Sequence, residues 1–262
     1  SSHIAAIWLF LVNLMALPHE AHITYTMKAL NRGKHVLCEK PLAFSAAEAT
    51  AAHTLAREKG LILMEAIKTA YCPGFNQLMG VVQSGVIGTV YDVEACFTKL
   101  VPPGGREWTG AHSGAFFELA SYPLLGIIKL LGATYQDVRF ECFCGENQTD
   151  FYSKAYFRYP NAVATAKVGI GGKSMGSMTI SGTRGFTTVK APWWKTTGFE
   201  THYEDSANDE TFFSRFLGDG LRYEISEFLR AVLGHDDNYL TAEDSIAIAA
   251  VMERFKESRD AL

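Results

Sequence analysis

The sequence predicts an α/β protein: half of a doubly wound parallel sheet, then an α+β domain built on a large, mostly antiparallel sheet. Three observations predict it. Apolar segments run strand, helix, strand, helix, strand within residues 1–67, the order of parallel strands joined by right-handed crossovers. Between about 135 and 190, strand-like runs follow one another without helices between them, as in an antiparallel sheet. No flexible linker separates the two parts near Lys68, so residues 1–67 and 68–262 are expected to pack as one body.

The first part begins with Ile4 to Leu17, 14 apolar residues broken only by Asn13. A membrane span takes about 20 residues, and no Lys or Arg precedes the run as a signal peptide requires. It is expected to be a buried parallel strand. Pro18 ends it. His19 to Arg32 carries Ile23, Met27 and Leu30 at helical spacing, with Gly33 as C-cap. His35 to Glu39 is a short strand. Ser45 and Glu48 form a capping box that opens a helix over Ala46 to Lys59. Leu61 to Ile67 is the third strand.

The second part opens with a short helix, Phe75 to Ser84, and a long strand, Thr89 to Leu100. Val101 to Ser113 is expected to be a loop, and Gly114 to Leu131 one helix closed by Gly132. Pro123 inside it implies a kink or a helix start. Strands are expected at about 135–145, 151–159, 162–170, 177–182 and 186–190. Trp193 to Asp219 is poorly patterned and is expected to be a long loop. Leu221 to Leu233 is an amphipathic helix, and Thr241 with Asp244 caps a last helix to about Arg259.

Composition narrows the function. The chain has 262 residues, 48% hydrophobic and 20% charged, which excludes disorder and fibrous repeats. A net charge of −4 carries no electrostatic footprint for nucleic acid. The five cysteines, Cys38, Cys72, Cys96, Cys142 and Cys144, include no CxxC pair. They are expected to be reduced thiols in a cytoplasmic protein, and no metal site is expected.

Two segments carry chemistry. Glu39-Lys40-Pro41 stands at the carboxyl end of a parallel strand, where doubly wound sheets bind ligands. Pro41 holds Lys40 extended and its peptide bond is a candidate for cis. Such a lysine either donates to a substrate oxygen and lowers a neighbour's pKa, or is an exposed strand-end cation. Glu118 and Tyr122 are four apart and share a helix face. They suit proton transfer, with an ordinary surface Glu and half-buried Tyr as the plain alternative. Glu65 and Lys68 are expected to form a solvated pair. His112 and His202 have no metal partners at recognisable spacing, and Trp193-Trp194 is expected to pack a loop onto the sheet.

Gly33 to Ala43 (GKHVLCEKPLA) resembles the glucose–fructose oxidoreductase / inositol dehydrogenase (Gfo/Idh/MocA) family of NAD(P)-dependent oxidoreductases. Pro18-His19-Glu20-Ala21-His22 is similar to its Pro-x-x-x-His turn, and Met64-Glu65-Ala66 to its next strand. Ser113 to Tyr122 is similar to its Gly-Gly-x-x-x-Asp-x-Gly-x-Tyr/His helix, and Arg222 to Phe228 with Thr241 to Ser245 to its closing helices. The Tyr-Pro ending points to the dihydrodiol/xylose dehydrogenase branch. The resemblance makes residues 1–67 the C-terminal half of a Rossmann dinucleotide-binding domain and 68–262 a substrate and dimerisation domain.

It also implies an enzyme that transfers a hydride between NAD or NADP and a CH–OH group of a sugar, polyol or dihydrodiol-like substrate. Lys40, Tyr122 and Glu118 would be catalytic: Tyr122 the acid/base, Lys40 lowering its pKa. Pro18, His22, Glu39, Lys40 and Pro41 would touch the cofactor, His22 near the nicotinamide or packing on neighbours. The subunits would form a homodimer or higher homo-oligomer through the open face of the antiparallel sheet. Glu118 stands for the family's Asp and Ala120 for its Gly. No G-x-G-x-x-G occurs, and only 17 residues precede Pro18. The alternatives are therefore a non-catalytic sensor or regulatory relative, or a truncated, inactive copy of the enzyme.

Overall fold

A computed structural model describes residues 12–110, 112–145, 148–235 and 239–260. The first sheet has three parallel strands in the order β1-β2-β3: β1 (Val12–Met15), β2 (His35–Glu39) and β3 (Leu63–Ala66). Helix α1 (His22–Asn31) joins β1 to β2, and α2 (Ala46–Glu58) joins β2 to β3. Ser45 Oγ accepts the Glu48 N–H at 3.2 Å, so Ser45 caps the helix as its position dictates. Most of the apolar run at 4–17 lies outside the described residues. Its end differs from expectation, because Leu14 is 59% exposed. Among the described residues β1 is the sheet edge and pairs with β2 alone, so its other hydrogen-bonding edge is unpaired there.

Lys68–Tyr71 form a 3-10 turn that leads into α3 (Pro73–Gln83), with Pro73 at the helix start where its missing N–H costs nothing. The second sheet is built on β4 (Val90–Thr98). Three strands follow on one side: β5 (Asp137–Cys144), β6 (Asp150–Arg158) and β7 (Val163–Gly169). On the other side lie β8 (Met178–Gly182), β9 (Gly185–Val189), β10 (Gly198–Tyr203) and β11 (Glu210–Phe213). The order is β11-β10-β9-β8-β4-β7-β6-β5. All pairs are antiparallel except β4 with β7, which run parallel from Asp92↔Val163 to Thr98↔Gly169.

Three expectations are corrected. Residues 193–219 are not one long loop, because β10 and β11 extend the sheet by pairing in turn onto β9. The segment 101–113 holds a helical turn, α4 (Arg106–Thr109). Gly114 to Leu131 forms two helices, α5 (Ala115–Leu119) and α6 (Ser121–Leu131), rather than one. Pro123 falls in the first turn of α6, where a missing backbone donor is tolerated.

Helices α5 and α6 cover one face of the second sheet. The last helices are α7 (Leu221–Val232) and α8 (Ala242–Asp260). Helix α8 packs on both α2 and α6, and its Ala249 joins the small core of the first sheet while Ile248, Val251, Met252 and Phe255 join the main core. Phe116 of α5 stacks on Phe255 at 4.0 Å between ring centroids. The two sheets therefore share one structural strut.

Candidate active site

The site begins at the carboxyl end of β2. The Lys40–Pro41 peptide bond is cis, and the Lys40 side chain is only 14% exposed. Its Nζ donates to the Glu118 backbone carbonyl at 2.6 Å and stands 3.7 Å from the Glu118 carboxylate. Burial lowers the lysine's pKa, opposed by the charges of Glu118, Glu39 and Glu65. The plain reading of an exposed lysine therefore fails: its stem is packed and its head crosses to α5.

Helix α5 brings Glu118 to this point through a tight turn. Gly114 has φ +111°, and the Phe116 N–H behind it donates to Asp150 Oδ2 at 2.9 Å. Asp150 thus caps the helix from β6, as a side chain satisfying an orphan N-terminal donor. Glu118 is 12% exposed and faces three cationic or basic groups. These are Lys40, Arg106 at 3.2 Å and His19 at 3.7 Å. Burial, then Lys40 and Arg106, pushes His19 down to about 3, so this ring is neutral near pH 7.

Tyr122 lies in the first turn of α6, 7% exposed. Its ring meets Phe97 edge-on at 5.0 Å, and Phe97 stacks on Trp194 at 3.7 Å. Trp193 is buried and donates its indole N–H to the Cys96 carbonyl at 2.9 Å. The pair packs the 193–195 turn onto the sheet, as expected. The Tyr122 hydroxyl makes no hydrogen bond among the described residues. The resemblance implies that Lys40 lowers the phenol's pKa; in this structure the net direction is upward, and Lys40 is not among its causes. Burial raises it, and Glu39, Glu224, Cys72 and Glu118 raise it further. The ammonium is turned to Glu118 instead.

His22 is buried, with Nδ1 2.8 Å from the Pro41 carbonyl and Nε2 2.8 Å from the Leu17 carbonyl. Both nitrogens face backbone carbonyls, so the ring packs between the segments that follow β1 and β2, donating to one of those carbonyls in either neutral tautomer. Pro18 is exposed at the turn that opens α1, and Glu39 is half-buried at the end of β2. The expected solvated pair of Glu65 and Lys68 is not found. Glu65 is 2% exposed and accepts from Leu42 N–H at 3.0 Å and from the Ser245 hydroxyl. Burial raises its carboxyl to about 7.

Glu224 of α7 is also buried, and its Oε2 has no hydrogen-bond partner among the described residues. Burial and then the charge of Glu39 push its carboxyl up to about 8. Sequence reasoning assigned no role to His19, Arg106 or Glu224. His19 and Glu224 lie inside the quoted motifs, which was the available signal; Arg106 had none. His19 also lines a cavity of about 450 Å³ with Glu20, Phe44, Glu48, His112 and Lys256. His112 stacks on Phe44 at 3.9 Å. No cluster of metal-ligating side chains occurs among the described residues.

Residues 4–67 match the model of an oxidoreductase family with an NAD-binding Rossmann fold, and residues 75–188 match the GFO/IDH/MocA C-terminal domain. The chain is 35% identical over 124 residues to a dTDP-3,4-didehydro-2,6-dideoxy-alpha-D-glucose 3-reductase from Actinomadura kijaniata, a match covering 47% of this chain and 37% of that protein. It is 28% identical over 253 residues to the trans-1,2-dihydrobenzene-1,2-diol dehydrogenase of Sus scrofa, covering 92% of this chain and 75% of that one. A crystal structure of a 3-ketoreductase from Actinomadura kijaniata with NADP and TDP-benzene superposes with a TM-score of 0.77 at 25% identity, over 92% of this chain and 75% of that one. The chain thus spans well under two thirds of the first relative and three quarters of the second. With both family models matching in sequence order and the fold agreeing, the chain belongs to the GFO/IDH/MocA oxidoreductase family.

Proposed function

We propose that the chain belongs to an oxidoreductase that transfers a hydride between a nicotinamide cofactor, NAD or NADP, and a CH–OH or keto carbon of a sugar, polyol or dihydrodiol-like substrate. One observation carries the reading. A lysine–carboxylate cluster stands at the carboxyl edge of parallel strands, and the charges of its Glu39 and Glu118 reach a buried phenol that makes no hydrogen bond among the described residues. That edge is where doubly wound sheets bind ligands.

The nicotinamide, when bound, supplies or accepts the hydride. Tyr122 donates its proton to a carbonyl oxygen as reduction proceeds, and takes it back from the hydroxyl in oxidation. The upward shift keeps the phenol protonated, the form ready for reduction. Lys40 places its ammonium at the reacting oxygen, and Glu118 holds that ammonium in place. Toward the cofactor, the exposed Pro18 turn and the Glu39-Lys40-Pro41 end of β2 are the residues that would hold a nicotinamide. The sequence holds no glycine-rich turn for the pyrophosphate, so the residues here fit the reactive end of the group.

Two further assignments go with this reading. The face of the second sheet not covered by α5 and α6 exposes Phe143 and joins two subunits in a homodimer or higher homo-oligomer. All five cysteines are unpaired, which supports a reducing, cytoplasmic setting. No helix among the described residues is long and apolar enough to cross a membrane.

The test pairs a nicotinamide-fluorescence titration with turnover on a panel of sugars, polyols, dihydrodiols and their ketones. Tyr122→Phe should lower turnover by about 10²–10⁴ and leave cofactor binding unchanged. Undiminished turnover in that variant removes Tyr122 from its role. Cofactor binding with no turnover on any substrate marks a sensor instead.

A further inference from the structure

Lys40 is followed by a proline, so the first backbone donor after it is the N–H of Leu42. That N–H and the Pro41 carbonyl belong to one peptide unit. Both of its polar atoms are held by buried side chains. The carbonyl faces His22 Nδ1 at 2.8 Å, and the N–H donates to Glu65 Oε1 at 3.0 Å. Glu65 Oε2 in turn accepts from the hydroxyl of Ser245 on α8. The Glu65 backbone carbonyl accepts from the Tyr71 hydroxyl at 2.6 Å. Glu65 therefore ties together β3, the segment after the cis bond, α8 and the turn that starts the second part of the chain.

A peptide plane held at both ends cannot rotate, and the residue before it inherits that restraint. We propose that Glu65 is the positioning residue for Lys40: by holding the Leu42 N–H against α8 it fixes the Pro41–Leu42 peptide, and with it the direction in which the ammonium leaves β2. The inference rests on Lys40 being part of the reacting group, and it concerns what aims that lysine rather than what the lysine does.

The titratable groups around Glu65 are few. Lys40 and Cys38 face it from β2, and Tyr71 reaches its backbone from the following turn; from α8 comes the neutral Ser245. Burial holds its carboxyl near 7, against the lowering by Ser245, Leu42 and Lys40. Loss of the proton at neutral pH places a negative charge near the lysine and leaves Glu65 an acceptor on both oxygens, from Leu42 and Ser245. A positioning role thus leaves a signature in the lysine itself.

The experiment follows the lysine side-chain ¹³Cε resonances by NMR across pH in the chain with no cofactor or substrate, and Lys40→Met identifies the Lys40 signal. In the parent, that signal should move with a midpoint near the Glu65 value of about 7. In Glu65→Gln the amide oxygen still accepts from Leu42 and the NH₂ donates to Ser245, so the fold is kept and the midpoint should vanish. In Glu65→Ala the Leu42 donor is orphaned, and the Lys40 signal should shift at every pH. The same midpoint in Glu65→Gln, or a parent-like Lys40 signal in Glu65→Ala, overturns the proposal. Should Glu65→Ala fail to fold, Glu65→Asp, whose carboxyl falls one methylene short of Leu42, takes its place with the same expected shift and the same overturning result. No turnover is read, so a failure here and a failure of the catalytic reading are told apart.

Discussion

Asp150 shows how one residue supports the site from a distance. It is fully buried, accepts the Phe116 N–H at 2.9 Å and the Ser153 hydroxyl at 2.6 Å, and so sets the start of the helix that carries Glu118. Arg259 stands 3.9 Å from its other oxygen. Asp150→Ala should lose about 1–3 kcal/mol for each buried donor left unpaired, read as a lower urea midpoint. Asp150→Asn keeps an acceptor and should lose much less. Burial raises the Asp150 carboxyl to about 6 from 3.8, so its stabilising contribution is full below 3.8 and lost as pH rises through 6. The Asn variant should lack that loss. Lys40 and Glu118 meet although 78 positions apart, and they were legible because each stands in a segment whose own pattern marks it. Glu65 was misread because its partners Leu42 and Ser245 lie 23 and 180 positions away in the chain. Sequence spacing alone cannot show such a pairing.

At the scale of elements, the alternation of helix and strand was legible wherever an element buries a regular apolar stripe. The strands β5 to β9 and helices α2, α3, α7 and α8 follow their patterns closely. What was hidden is instructive. Strands β10 and β11 carry GFETHY and ETFF, with charged and small residues that blur the alternation; they exist because β9 offers a sheet edge to pair with. The join between loop and α5 depends on Gly114, whose φ of +111° favours glycine. A Cβ there would sit 1.9 Å from Asp150 Oδ1. Gly114→Ala should therefore cost at least about 1–3 kcal/mol. Thermal unfolding checks this, and a parent-like melting temperature would show that the turn has room to relax.

For the whole molecule, the buried titratable groups set how stability depends on pH. Three carboxyls are raised: Asp150 to about 6, Glu65 to about 7 and Glu224 to about 8. Each contributes fully below its unfolded pKa, and that contribution is lost as pH rises through the folded value. Burial lowers His19 to about 3 and His53 to about 4 from 6.5. Their contributions are present above 6.5 and lost as pH falls toward those values. The melting temperature should thus peak on the acid side of neutrality and fall toward pH 8 and above. Glu224→Gln should flatten the alkaline limb and leave the acid limb as it is; an unchanged alkaline limb would remove Glu224 as its source. The parallel pairing of β4 with β7 has a kinetic consequence. It joins Asp92 to Val163 across the whole span that contains α4 to α6 and β5 to β6. The strands on either side zip from neighbours in the chain, but β4 must wait for that long loop to close. High contact order slows folding. Closing that loop onto β4 is the step expected to limit folding, and until it closes Tyr122 lacks the wall that Phe97 of β4 provides.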